Sequence, residues 1–282
     1  MAQSTVGAAG AARTARRAAH SPAGEWLARL GYVVKGIVYL IIGILAGRVA
    51  IGDGGKTTDN RGALQAIYHE PFGRVLLSLV IVGLIGYALW CFLRAFLDVD
   101  GKGSDAKGIL ARVGYAIIGI SYGALAYGAL RLVTGSGSSG KSTDASTQDW
   151  TARLLGQSYG EALVILLGVV VLGVALYLFY YAYSAKFLQS FSRLSGMART
   201  WVRRLGRIGY GAQGVVFAEI AIFLIVAARK HNAHAAKGIG GSLAQLAREP
   251  YGHVLLGIVA LGLIAYALYS FAQARFRRFQ TI

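Results

Sequence analysis

Six apolar runs leave this chain few ways to fold. Residues 75–93, 113–130, 162–185 and 254–274 carry no charged side chain over 18 to 24 positions. Two more, 30–47 and 208–228, reach similar length with one charge each, Lys35 and Glu219. A helix rises ~1.5 Å per residue, so about 20 residues cross the ~30 Å hydrocarbon core. Lipid offers no partner to backbone N–H and C=O groups, so runs of this kind span as helices. The expected fold is all-α and integral to the membrane, with six transmembrane helices.

Composition agrees: 55% of the 282 residues are hydrophobic, 15% are charged and mean hydropathy is +0.53. A net charge of +17 would point to nucleic acid in a soluble protein. Here the cations follow the spans, and no nucleic-acid partner is expected. With six crossings, 18 of the 29 Lys and Arg fall on the N-terminal side and 11 on the other. The positive-inside bias then puts both termini in the cytoplasm of a bacterial cytoplasmic membrane. Residues 1–25 read as a disordered basic tail, since the about thirty residues of Ala, Gly, Arg and Ser before the first run exceed a signal-peptide n-region. The lone Cys91 has no disulfide partner within the chain and reads as a small core residue.

The runs come in pairs. "LARLGY" at 27–32 returns as "LARVGY" at 110–115 and "LGRIGY" at 205–210. Gly36, Gly119 and Gly214 then correspond, as do Gly73, Gly160 and Gly252, and Trp90, Tyr177 and Tyr269. Three two-helix repeats follow, 26–100, 108–186 and 205–276, joined by a basic connector at 187–204. Each unit crosses twice, so the copies are parallel, and a pseudo-threefold bundle is one arrangement open to them.

Each repeat opens with Arg-x-Gly-Tyr: Arg29, Gly31 and Tyr32; Arg112, Gly114 and Tyr115; Arg207, Gly209 and Tyr210. A cation and an amphipathic ring suit the cytoplasmic headgroup level. On the far side, Glu70, Pro71 and Gly73 in "EPFG" and Glu249, Pro250 and Gly252 in "EPYG" read as helix starts. Pro is expected in the first turn, with Glu near the positive end of the dipole. Short amphipathic segments precede both, with Leu64, Ile67 and Tyr68 in one and Leu243, Leu246 and Ala247 in the other, suited to the membrane surface. The connector sets Phe187, Phe191, Leu194, Trp201 and Leu205 against Arg193, Arg199, Arg203 and Arg204, which predicts an amphipathic helix for anionic lipid, or a plain connector.

Two motifs tempt and fail. "GSGSSGKS" at 135–142 matches the phosphate-loop spelling, but it follows an apolar helix where a strand is needed, and reads as a flexible Gly/Ser loop. His231 and His234 have no Cys or nearby carboxylate, so no metal is expected, and no cofactor.

Glu219 is the residue least explained by packing, because an ionised carboxylate near the middle of a span costs several kcal/mol. It reads as a protonated interhelical hydrogen bond, as a proton-handling group, or as a group shifted to the surface. Lys35, Tyr39, Tyr122 and Gln213 complete the candidate polar site within the membrane.

The Arg-x-Gly-Tyr starts, the two Glu-Pro motifs, and "VGLIGYALW" (82–90) with "LGLIAYALY" (261–269) resemble the bacterial membrane family named domain of unknown function 1206. The resemblance covers nearly the whole chain after the tail. It implies repeated two-helix units in a membrane and brings no activity or catalytic residues. The middle repeat departs from it, lacking Pro and carrying Val174 where Tyr87 and Tyr266 stand. The expected function is a non-enzymatic packing or scaffold protein in contact with the bilayer and its anionic lipid. The alternative is a small transporter or ion channel with a path between repeats at Glu219. A membrane-embedded enzyme ranks third, for want of convergent polar groups.

Overall fold

A computed structural model describes residues 22–53, 55–99, 101, 103–136, 142–191, 194 and 196–277. Most of the expected basic tail lies outside the described residues, as do Arg193 and residues 137–141 of the Gly/Ser loop; residues 22–25 already belong to the first helix. Nine α-helices are described: α1 (Pro22–Ala50), α2 (Asn60–His69), α3 (Gly73–Phe96), α4 (Ala106–Val133), α5 (Thr143–Leu155), α6 (Gly160–Ser184), α7 (Gly196–Arg229), α8 (Ile239–Leu246) and α9 (Gly252–Phe276). Six of them, α1, α3, α4, α6, α7 and α9, are long and apolar enough to cross a membrane. Each repeat is therefore a long helix, a short helix and a long helix.

The long helices pack between repeats as much as within them. The second long helix of each repeat lies on the first of the next: α3 on α4, α6 on α7, and α9 back on α1. The same two devices hold all three seams. Gly36, Gly119 and Gly214 leave room for the rings of Phe271, Phe92 and Phe179, so that a Cβ would come within 2.5, 3.1 and 2.8 Å of them. The motif arginines reach the C-terminal carbonyls of the neighbouring helix. Arg29 donates to Ala274 and Arg275, Arg112 to Ala95 and Phe96, and Arg207 to Tyr183, at 2.7 to 3.1 Å. Helix-end carbonyls lack intrahelical partners and carry the negative end of the dipole, so a guanidinium satisfies both needs. The motif cation thus serves a seam between repeats.

Within repeats the symmetry breaks. α1 crosses α3 and α7 crosses α9, but among the described residues α4 and α6 do not pack along their length. At the two closed crossings a Cβ on Gly31 would meet the Tyr87 backbone, and one on Gly209 the Tyr266 backbone, at 2.7 to 3.0 Å. Gly83 and Gly262 seat Val34 and Ala212 from the other side. In the middle repeat Val170 replaces the second glycine and Val174 the tyrosine, and Gly114 has nothing near it. Small residues let helices approach closely; replacing one with a β-branched side chain holds them apart. The middle hairpin is open, and α4 and α6 are the least buried of the six.

Several sequence expectations are corrected here. The short segments do not lie free on a membrane surface: Leu64 and Leu243 are 1% exposed, and α2 and α8 turn their apolar stripes onto the bundle. Pro71 is not in the first turn of α3. Glu70 caps the end of α2, and Glu70–Gly73 closes a turn through Gly73 N–H to the Glu70 carbonyl at 2.8 Å, with Phe72 left-handed at φ 60°. Pro at the second position and positive φ at the third define a type II turn. Tyr251 repeats that φ before Gly252. The middle repeat makes a related turn without Pro, Tyr159 standing at φ −114°. All three need glycine next, because a Cβ there would run into the carbonyls ending the short helix.

The connector is not a helix of its own. Lys186–Ser190 is a single 3-10 turn that buries Phe187 completely under Gly206, and from Gly196 onward the chain is already α7. The structure also adds α5 directly after the Gly/Ser loop, capped by the Ser142 hydroxyl accepting from Ala145 N–H.

Candidate functional site at the centre of the bundle

Lys35 and Tyr39 lie one turn apart on α1, facing inward, and the other repeats supply their surroundings. The Lys35 ammonium stands 3.5 Å from the Tyr87 hydroxyl of α3, and 5.5 and 4.8 Å from the Tyr87 and Tyr266 ring centres. Cations are attracted to such ring faces. Tyr39 meets Tyr266 edge-on at 4.9 Å, and Tyr122 of α4 meets Tyr87 at 4.7 Å. Gln213 of α7, 7% exposed, lies beside Tyr39 and Tyr266. Four of the five expected polar residues therefore come together: Lys35, Tyr39, Tyr122 and Gln213.

The motif tyrosines extend the cluster toward the terminal end. Tyr32 is 1% exposed, packs on Tyr87 at 5.3 Å, and receives a hydrogen bond of 2.5 Å from Arg277 just beyond α9. Tyr210 touches Tyr181, Phe187, Tyr266 and Tyr269. Tyr115 lies 3.7 Å beneath the Arg94 guanidinium. Expected at the headgroup level, Tyr32 and Tyr210 instead turn into the protein, because the close crossing at Gly31 and Gly209 brings the facing tyrosine within ring contact.

Glu219 does not join them. It is half-buried on α7, and the charged groups that act on it are Glu249 and Lys237 at the short-helix end. Lys237 donates to Gln245 at 2.6 Å and lies 4.3 Å from the Phe223 ring centre. Burial, and then Arg248, hold its ammonium below the ordinary 10.5, while Glu219, Asp144 and Glu249 pull the other way.

The short-helix end carries a second polar system that the sequence reading missed. Asp59, 5% exposed, caps α2 through Gly62 N–H at 2.8 Å and accepts from Thr143 N–H of the next repeat at 2.6 Å. Asp144 accepts from Gly238 N–H at 2.5 Å and Gly241 N–H at 3.0 Å of the third. Thr57 closes the circle by donating to the Gly240 carbonyl at 3.0 Å. Three repeats are thus sewn head to tail around a cavity of about 200 Å³ lined by Thr58, Arg61, Gln65 and Ser142 among others. A Thr-Asp pair at each of two polar helix starts was the available signal. For the inner cluster, the missed members Tyr87 and Tyr266 were visible as a tyrosine repeated in two units and absent from the third.

Against known proteins, the chain is similar to the "Uncharacterized protein YxxB" of Bacillus subtilis (strain 168), 35% identical over 234 residues that cover 82% of this chain and 83% of that protein. No solved structure matches it. The family described as Domain of Unknown Function (DUF1206) matches three times, over residues 30–98, 113–185 and 208–277, and the chain belongs to that family.

Proposed function

We propose that this multi-pass protein is a non-enzymatic packing protein of a bacterial cytoplasmic membrane, with both termini in the cytoplasm, that gathers anionic lipid around its basic end. The observation that carries this reading is the overhang of α7. Trp201 is 56% exposed, and Arg199, Arg203 and Arg204 beside it are exposed as well. An exposed indole among arginines suits the headgroup layer of an anionic leaflet. The frame behind it is built for rigidity, with three seams clamped alike by arginine and by glycine against phenylalanine. The test is the lipid belt of the reconstituted protein, read with spin-labelled phosphatidylglycerol and phosphatidylcholine. A preference for phosphatidylglycerol that shrinks when Arg199, Arg203 and Arg204 become Gln supports the reading. No preference in the unaltered protein sinks it.

A second reading, transport of a proton or ion, draws support from the open middle hairpin and from half-buried Glu219 beside Lys237. It is tested by proton flux into liposomes under a pH gradient. Flux that disappears in Glu219→Gln supports it, and absence of flux in both proteins removes proton conduction.

A further inference from the structure

Each repeat enters its second long helix through a turn that ends in an aromatic side chain held out from the protein. Phe72, Tyr159 and Tyr251 occupy equivalent positions, one residue before Gly73, Gly160 and Gly252. They are 84, 80 and 86% exposed, three of the four most exposed large hydrophobic side chains among the described residues. Two of them stand there against the preference of the backbone. Phe72 and Tyr251 are left-handed, both at φ 60°, where the third position of a type II turn favours Gly or Asn and a bulky residue stores strain. Tyr159 holds its ring out from ordinary backbone, at φ −114°. What the three turns share is therefore the outward ring and not the turn geometry.

Folding gains little from rings so exposed, because an aromatic side chain stabilises a protein through the area it buries. What lies next to them is the outer surface of the spans. The membrane-crossing helices α3, α6 and α9 start at the glycine after each ring. Outward apolar residues begin within about one turn: Val75 and Leu79 on α3, Leu163 and Leu166 on α6, Val254 and Ile258 on α9, all 43 to 63% exposed. The rings thus continue three apolar faces at the level where hydrocarbon gives way to headgroups. An aromatic ring is favoured at that level, its body against hydrocarbon and a hydroxyl, in Tyr159 and Tyr251, toward water. Because α3, α6 and α9 belong to three repeats and pack on three different neighbours, the rings stand at three places around the bundle.

We propose that Phe72, Tyr159 and Tyr251 form a three-point anchor in the bilayer interface at the short-helix end, where they set the depth and tilt of the molecule. Their partner is the boundary between headgroups and acyl chains of the surrounding phospholipid, whatever the headgroup charge. Three contacts at three places fix a plane, and interfacial rings are among the groups that settle tilt. Glycine at Phe72 or Tyr251 would relax the turn and lose the ring, so the strain goes with the anchor. The anchor rests on the membrane-crossing helices and not on the lipid preference of the α7 overhang, which lies at the other end of the molecule.

The experiment places the full chain in nanodiscs of phosphatidylcholine alone, so that no anionic preference enters, and puts one tryptophan at a time on the anchor: Phe72→Trp, Tyr159→Trp or Tyr251→Trp. The fluorescence added to that of Trp26, Trp90, Trp150 and Trp201 is read against the unaltered protein. Bromine near the head end of the acyl chains should quench the added tryptophan severalfold more than bromine near the chain ends, at all three positions. Tyr159→Trp, in ordinary backbone, carries the test should the left-handed variants not fold. In a second step Phe72→Gly and Tyr251→Gly are added to Tyr159→Trp, which removes two anchors while relieving the strain. Head-end quenching at position 159 should then fall severalfold. Quenching by water-soluble acrylamide in place of the brominated lipid puts the rings in water, and quenching by neither puts them under a protein partner; each overturns the proposal. Head-end quenching unchanged after the two glycine substitutions overturns the anchoring role.

Discussion

Tyr87 crosses α1 at Gly31 so closely that a Cβ on the glycine would come within 2.6 Å of the tyrosine Cβ and 2.9 Å of its Cα, whereas the equivalent Gly114 faces open space. The two glycines occupy the same place in the repeat and do different work. Gly31→Ala should destabilise the protein by about 1–3 kcal/mol, since backbone rather than a flexible side-chain tip must move. Gly114→Ala should be neutral or slightly stabilising through helix propensity. Unfolding of the two variants in mixed micelles checks the contrast, and equal losses would mean that the middle hairpin closes in the membrane.

The arginine clamp predicts an asymmetry between Arg and Lys. Arg112 forks onto the Ala95 and Phe96 carbonyls at 2.7 and 3.1 Å. Arg112→Gln should cost about 1 kcal/mol and loosen the seam between α3 and α4, and Arg112→Lys should recover only part of it because an ammonium cannot fork. A cysteine pair across that seam, scored for disulfide formation, reads the loosening directly.

Asp144 links the second repeat to the third. Asp144→Ala leaves the Gly238 and Gly241 N–H groups without their acceptor and should cost about 1–3 kcal/mol. Asp53 supplies the control: its ion pair with Arg48 is largely exposed, so Asp53→Ala should change stability by less than about 1 kcal/mol. Thermal unfolding of both variants separates a carboxylate that joins repeats from one that decorates a loop.

Lys237 predicts a pH dependence. Its folded value lies below the ordinary 10.5, chiefly because burial penalises the charge. Between the folded and unfolded values the unfolded chain binds more protons, so stability should rise as pH climbs through the alkaline stretch just under 10.5. Below that stretch both states are charged and the penalty is complete. Lys237→Gln should flatten the rise, and an identical pH profile in the variant would refute the assignment.

Much of this architecture was legible before any coordinates. The six spans and three repeats follow from run length and self-similarity, because lipid leaves an apolar run of 20 residues little choice but a helix. Lys35, Tyr39, Tyr122 and Gln213 were recognisable as polar groups misplaced in apolar runs. Their pairing with Glu219 was not correct, since sequence gives depth along a helix and says nothing of which face turns to which neighbour. The loss of Tyr87 and Tyr266 at Val174 was visible, but its consequence, an open hairpin, was not.

The sequence by itself determined how many times the chain crosses, where each repeat begins and which positions recur. Only the tertiary structure decided that the motif arginines bind a neighbouring repeat's carbonyls, that Asp59 and Asp144 sew the short helices together, and that Glu219 lies apart from Lys35. The physical reason is range. Spans and turns are set by residues a few positions apart, whereas the seams and the central cluster join groups as far apart as Arg29 and Ala274, which no local pattern can bring together.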